Sequence, residues 1–201
     1  MHKIIIKDKL KVHLPAIPYN MSEGDNTSVY IYNGVDRGAP TDVTHVSVDP
    51  SVTVLSQFAF AGRHQLVEVE LPEGLLQIGE MAFHGCQSLK RIDLPSTIEE
   101  IGESAFENCI KLDEITLPKG LLRLRKYAFH SCESLKTINI PPGIEVLEEG
   151  AFLSCHSLTD ITFSEGLQEI GEDAFSRCKS LVSVTLPSSL KVIGVEIIRR
   201  L

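Results

Sequence analysis

Apolar positions along most of the chain return at a step of 23 residues, and such a step predicts stacked copies of one structural unit. Phe60, Phe83, Phe106, Phe129, Phe152 and Phe175 keep this step. Ala59, Ala82, Ala105, Ala128, Ala151 and Ala174 precede them throughout. Leu66, Leu89, Leu112, Leu135, Leu158 and Leu181 form a third column, and Cys86, Cys109, Cys132, Cys155 and Cys178 a fourth. No insertion breaks the register after residue 44. The units fall at 44–66, 67–89, 90–112, 113–135, 136–158, 159–181 and 182–201. Arg63 stands where later units carry Cys, and Ile198 takes the Phe position in the last unit. Terminal units of a stack are expected to deviate in this way, because one of their flat sides lacks a neighbour of its own kind.

Within a unit the pattern changes period. In residues 89–112, Leu89, Ile92 and Leu94 read as a short strand whose Ile92, Asp93 and Leu94 alternate inward and outward. Pro95 ends it, since proline cannot donate to a ladder. Ile98 and Ile101 turn back into the core, and Glu103 to Asn108 read as a single helical turn that drops Phe106 inward. One unit cannot bury these side chains alone. Stacked at a strand spacing of about 4.8 Å, seven units give a rod roughly 34 Å long.

The run Leu-x-x-Ile-x-Leu-Pro-x-x-Ile-x-x-Ile-Gly-x-x-Ala-Phe-x-x-Cys at Leu89–Cys109 resembles the BspA-like class of leucine-rich repeat. The resemblance covers about residues 44–201, and residues 29–43 look like the entry segment of members from unicellular eukaryotes. It implies an α/β repeat: a right-handed leucine-rich-repeat solenoid with a parallel concave β-sheet, and short helical turns or short strands on the convex side. It also implies protein binding and offers no catalytic residues to carry over. The adhesin role of bacterial members is not carried over. Glycine is present at Gly79, Gly102, Gly171 and Gly194, but Ser56, Arg125 and Glu148 stand in the same column, so a positive φ is not required there.

Composition narrows the function. A net charge of −8 disfavours nucleic acid, whose phosphates call for a basic surface. No apolar run approaches the ~18 residues of a membrane span. Ile4, Ile5 and Ile6 are too few for a signal-peptide core, so a cytoplasmic or nuclear location is expected. With aromatics at 6% and no Trp, the core is aliphatic.

Candidate chemistry is sparse. The cysteine column could stack within disulfide range or join His84, His130 and His156 in a metal ladder, but no Cys-x2-Cys zinc spacing occurs. Reduced, buried cysteines beside the Phe column are the plainer reading, with no metal and no cofactor. No Gly-rich phosphate loop or nucleophile elbow is present, and the chain is expected not to be an enzyme. The stronger candidate is the outward row of the sheet: Glu68 and Glu70, Arg91 and Asp93, Glu114 and Thr116, Thr137 and Asn139, Asp160 and Thr162. Its acidic part, Glu68, Glu70, Asp93 and Glu114, suits a protein partner with a basic surface. Lys119, Arg123, Arg125, Lys126 and His130 make one unit locally basic; stacking Arg123 on Glu100, Arg125 on Glu148, and Lys126 between Glu103 and Glu149 accounts for them as lateral ion pairs.

Residues 1–43 read as a flanking or capping segment, with 20–28 a flexible loop and a flexible tail over 1–28 as the alternative, and 44–201 as the repeat domain. An apolar last unit leaves an open edge, which suggests self-association as an alternative to partner docking.

Overall fold

The computed structural model describes residues 29–35 and 39–195. Residues 1–28, 36–38 and 196–201, and the expectations that fall on them, lie outside the described residues.

Short strands stack in two columns. The first contains β1 (Val29–Tyr32), β2 (His45–Val48), β4 (Glu68–Glu70), β6 (Arg91–Ile92), β8 (Glu114–Ile115), β10 (Thr137–Ile140) and β12 (Asp160–Phe163). The second contains β3 (Val54–Leu55), β5 (Gln77–Ile78), β7 (Glu100–Ile101), β9 (Arg123–Leu124), β11 (Val146–Leu147), β13 (Glu169–Ile170) and β14 (Val192–Ile193). Every pairing is parallel, and from β2 onward partners lie 23 positions apart, as with His45 and Glu68 or Ile78 and Ile101. The result is a parallel β-solenoid of about six turns with a partial seventh. The strand expected over Leu89 to Leu94 is shorter than its alternation suggested: pairing is confined to Arg91–Ile92, and Leu94 is only partly buried.

The third side of each turn differs from expectation. Among the described residues there is no helix, and the helical turn expected over Glu103 to Asn108 is not formed. Consecutive three-residue turns occupy it instead: Ala82 N–H donates to Gly79 C=O, His84 to Met81 and Cys86 to Phe83. The intervening amides point at the next unit, with Met81, Phe83 and Gly85 donating to the carbonyls of Glu103, Ala105 and Glu107 at 2.9, 2.8 and 2.8 Å. A left-handed residue every fourth position makes this possible, as at Met81 (φ 51°) and Gly85 (72°), Ser104 (52°) and Asn108 (60°), Tyr127 (57°) and Ser131 (58°). A lone helical turn would satisfy few of its own amides and link no neighbour. Turning alternate amides outward supplies a third inter-unit ladder, so each layer is hydrogen-bonded on three sides.

The Gly column has a different reason. Gly102 has no positive φ, as expected, but a Cβ there would meet the Gly79 carbonyl carbon and the Glu80 amide nitrogen at 2.7 Å. Adjacent backbones approach closely at this corner.

The core runs the length of the stack. Phe rings from Phe60 to Phe175 lie one above another at centroid separations of 5.1–5.8 Å, within the range of offset stacking. Leu, Ile, Ala and Cys columns surround them, almost all fully buried. Each buried Leu, Ile or Phe contributes about 1.5–3 kcal/mol, most of it offset by ordering the backbone.

Candidate functional site

Two features follow from repeating one polar position in every layer. The first is the outward row of the first strand column. A parallel strand sends alternate side chains to opposite faces. Val69, Ile92, Ile115, Ile138 and Ile161 point inward and are buried, while Glu68, Glu70, Arg91, Asp93, Glu114, Thr116, Thr137, Asn139, Asp160 and Thr162 are all exposed. They lie side by side along one face. Glu68 Oε2 lies 3.6 Å from His45 Nε2, and Arg91 reaches Glu114 at 3.4 Å. Glu68, Arg91 and Glu114 are exposed and His45 is half-buried, so water reaches both pairs and they hold their carboxylates weakly. Glu70 and Asp93 have no ion-pair partner among the described residues. Further along, the Thr162 hydroxyl donates to Asn139 Oδ1 at 2.8 Å. The row therefore begins acidic and ends in hydroxyl and amide groups.

The second feature was not singled out from the sequence. Just beside this row, Lys90, Lys111, Asp113, Ser134, Lys136 and Ser157 line a shallow open groove of about 310 Å³. Lys136 lies 3.7 Å from Asp113, leaving the ammonium groups of Lys90 and Lys111 without an acidic partner among the described residues. The signal was available: three lysines and a serine-rich column fall at the corner before the strands. Inspecting strand positions alone passes over it.

The cysteine column sits inside. All five are free and buried, and each thiol from Cys86 to Cys178 donates to the carbonyl of the Phe 26 positions earlier, at 3.1–3.2 Å. Burial pushes Cys86 and Cys178 up to about 12 and Cys109, Cys132 and Cys155 well above the ordinary range. A thiolate is disfavoured throughout the column, and with it nucleophilic or metal-binding chemistry. His130 faces Glu107 at 3.2 Å and His156 faces Glu133 at 3.9 Å, both across neighbouring units. Among the described residues no group of three or more His, Cys, Asp or Glu is placed to hold a metal ion.

The basic unit is tied laterally. Arg123 Nε lies 2.6 Å from Glu100 Oε2, and Arg125 bridges Glu100 at 2.9 Å and Glu148 at 3.3 Å. Lys126 reaches Glu149 at 2.8 Å, and the Tyr127 hydroxyl donates to the same carboxylate. Burial alone would raise the Glu100 carboxyl, but hydrogen bonds from Arg123 and Arg125 hold it below its usual range. Of the two glutamates expected around Lys126, Glu149 makes the contact.

This architecture, short parallel strands stacked on aliphatic and Phe columns, defines a leucine-rich-repeat-type solenoid. The chain belongs to the BspA type leucine rich repeat region family, whose model matches residues 39–159 and 76–200 in six copies. It resembles a leucine-rich repeat protein of T. pallidum at 29% identity, covering 82% of this chain and 76% of that one with a TM-score of 0.67. It also resembles a leucine-rich repeat protein of Eubacterium ventriosum at 25% identity, covering 78% of this chain and 43% of that one with a TM-score of 0.69. The chain thus spans less than half the length of the second. No curated protein matches it. The family is a non-enzymatic repeat family, commonly a protein-interaction or surface module.

Proposed function

We propose that the chain is a non-catalytic interaction scaffold whose outward first-column row docks a protein partner with a basic surface. The observation that supports this is the acidic opening of the row. Glu68, Glu70, Asp93 and Glu114 are exposed on adjacent layers, Glu70 and Asp93 have no ion-pair partner among the described residues, and Glu68 and Glu114 are held only weakly by half-buried His45 and exposed Arg91. A flat array of carboxylates on a rigid ladder loses little entropy when a cationic segment lies across it. It also steers a basic partner from a distance, an effect that salt weakens.

The test is a charge reversal on surface positions only: Glu68→Lys, Glu70→Lys, Asp93→Lys and Glu114→Lys together. An oligolysine peptide serves as a defined probe, and partners recovered from the native cell as the biological readout. Salt-sensitive peptide binding and partner recovery should both fall at least about tenfold, roughly 1.4 kcal/mol, with circular dichroism unchanged. Binding and recovery equal to wild type would remove the row from consideration.

A further inference from the structure

The corner that precedes the first strand column repeats one short segment from layer to layer: Ser88-Leu89-Lys90, Lys111-Leu112-Asp113, Ser134-Leu135-Lys136 and Ser157-Leu158-Thr159. The central Leu is buried each time, and its two neighbours reach water. Stacking these segments about 4.8 Å apart brings Lys90, Lys111 and Lys136, from three successive layers, to one groove with Asp113, Ser134 and Ser157.

Elsewhere the lateral columns satisfy themselves. Arg123, Arg125 and Lys126 each meet a glutamate of a neighbouring layer, and the Ser96 and Ser188 hydroxyls donate to Glu73 and Glu165. The groove is different. Its carboxylate, Asp113, takes Lys136 at 3.7 Å. Glu133, next along the chain to Ser134, faces His156. Among the described residues Lys90 and Lys111 keep no acidic partner, and the Ser134 and Ser157 hydroxyls have no hydrogen-bond partner. Three ammonium groups against one carboxylate leave two positive charges uncompensated, in a chain whose net charge is −8. Like charges sharing a groove repel, and a bound anion relieves that repulsion.

We propose that this groove seats the phosphate monoester of a phosphorylated serine or threonine on the partner segment that lies across the acidic row, a reading that rests on that docking surface. Such a group carries about 1.5 to 2 negative charges near neutral pH and three acceptor oxygens, matching the uncompensated charge and the ammonium and hydroxyl donors. A carboxylate brings one charge and fewer acceptors. Protein is the fitting carrier because the groove is shallow and adjoins the row. Lys90, Asp113 and Lys136 immediately precede Arg91, Glu114 and Thr137 of the first strand column. A chain crossing the row therefore passes beside the groove.

The experiment is fluorescence anisotropy of the full chain with a labelled hexalysine-Gly-Ser-Gly peptide, its serine free or phosphorylated. Binding of the free-serine form reads the row, and the gain on phosphorylation reads the groove. That gain should be at least about fivefold and should shrink with salt. Lys90→Gln with Lys111→Gln, both at exposed positions, should remove the gain without weakening the free-serine form or altering the circular dichroism spectrum. Asp113→Asn, which releases Lys136, should enlarge it. Lys119→Gln with Lys179→Gln removes the same charge from exposed positions outside the groove and should leave the gain intact. No gain, a gain that survives in the folded Lys90 and Lys111 variant, or an equal loss in the control pair would overturn the inference. So would inorganic phosphate binding as tightly as the phosphopeptide, or capture by phosphatidylinositol phosphate vesicles with no gain for the peptide. A gain that depends on Lys90 and Lys111, beside a free-serine form that binds wild type no better than the charge-reversed row, would sink the acidic row alone and keep the groove.

Discussion

Each buried thiol here is a hydrogen-bond donor as much as a piece of apolar filling. Cys109 donates to the Phe83 carbonyl at 3.1 Å, reaching back across one layer from a site fully shielded from water. Cys109→Ala removes that bond and leaves a small void, and is expected to cost about 1–3 kcal/mol in urea unfolding. Because burial raises all five thiols, a thiol reagent near neutral pH should titrate them only after the protein is unfolded. Rapid labelling of the native chain would contradict this. Backbone conformation sets another single-residue constraint. Asn108 sits at φ 60°, where a β-branched side chain is strained. Asn108→Val should lower the unfolding free energy from urea titration by about 1–3 kcal/mol, whereas Asn108→Gly should stay within roughly 1 kcal/mol of wild type. The sequence made the Cys column and Asn108 visible. It did not reveal their roles, because the thiol's acceptor lies in another layer and Asn suits several turn geometries.

The strands and turns show where periodicity is informative and where it is ambiguous. Alternation at Ile92 and Asp93 placed the inward and outward sides of the first column correctly, since a period of two has one structural meaning. Ala105, Phe106 and Cys109 have a spacing that suits a helical turn and a chain of tight turns equally. The difference lies in φ at Ser104 and Asn108 and in amides aimed at the next unit, which a single unit cannot disclose. The ion-pair network between the second-column strands was readable because a 23-residue step puts Arg123 beside Glu100. Its pH dependence follows from the Glu100 carboxyl. With the folded value held below the unfolded one, the stabilisation is present at neutral pH. It is lost as pH falls below 4.5 and through the folded value. Arg123 and Arg125 are well exposed, so screening limits the effect to about 1 kcal/mol. Glu100→Gln should therefore be less stable than wild type near pH 7, and the gap should close on acidification, as followed by urea midpoints at each pH. A constant gap across that range would assign the loss to packing rather than charge.

Considered entire, the stack was readable because its long-range contacts repeat a short-range spelling: any two residues 23 apart are neighbours. The lysine groove was harder to read, since it depends on which positions stay unpaired after stacking. If stability is close to a sum over layers and their interfaces, removing one whole layer should shorten the protein without destroying it. Deleting 136–158 is the cleanest such change. It sets Phe129 over Phe175, Cys132 over Cys178 and Leu124 over Ile170, so the core columns close again. Arg123 then meets Glu169 and Lys126 meets Glu172, so acid still faces base, while Glu100 keeps both arginines. The shortened chain should unfold in urea in one cooperative step, with a smaller slope because less surface is exposed and a lower midpoint because one interface is missing. Deleting 136–147 instead removes about half a layer and shifts every later column out of register, placing apolar positions outward. That chain should show no cooperative transition. Were the two deletions to behave alike, the layers would not be the independent units that equivalent contacts at every 23rd residue make them.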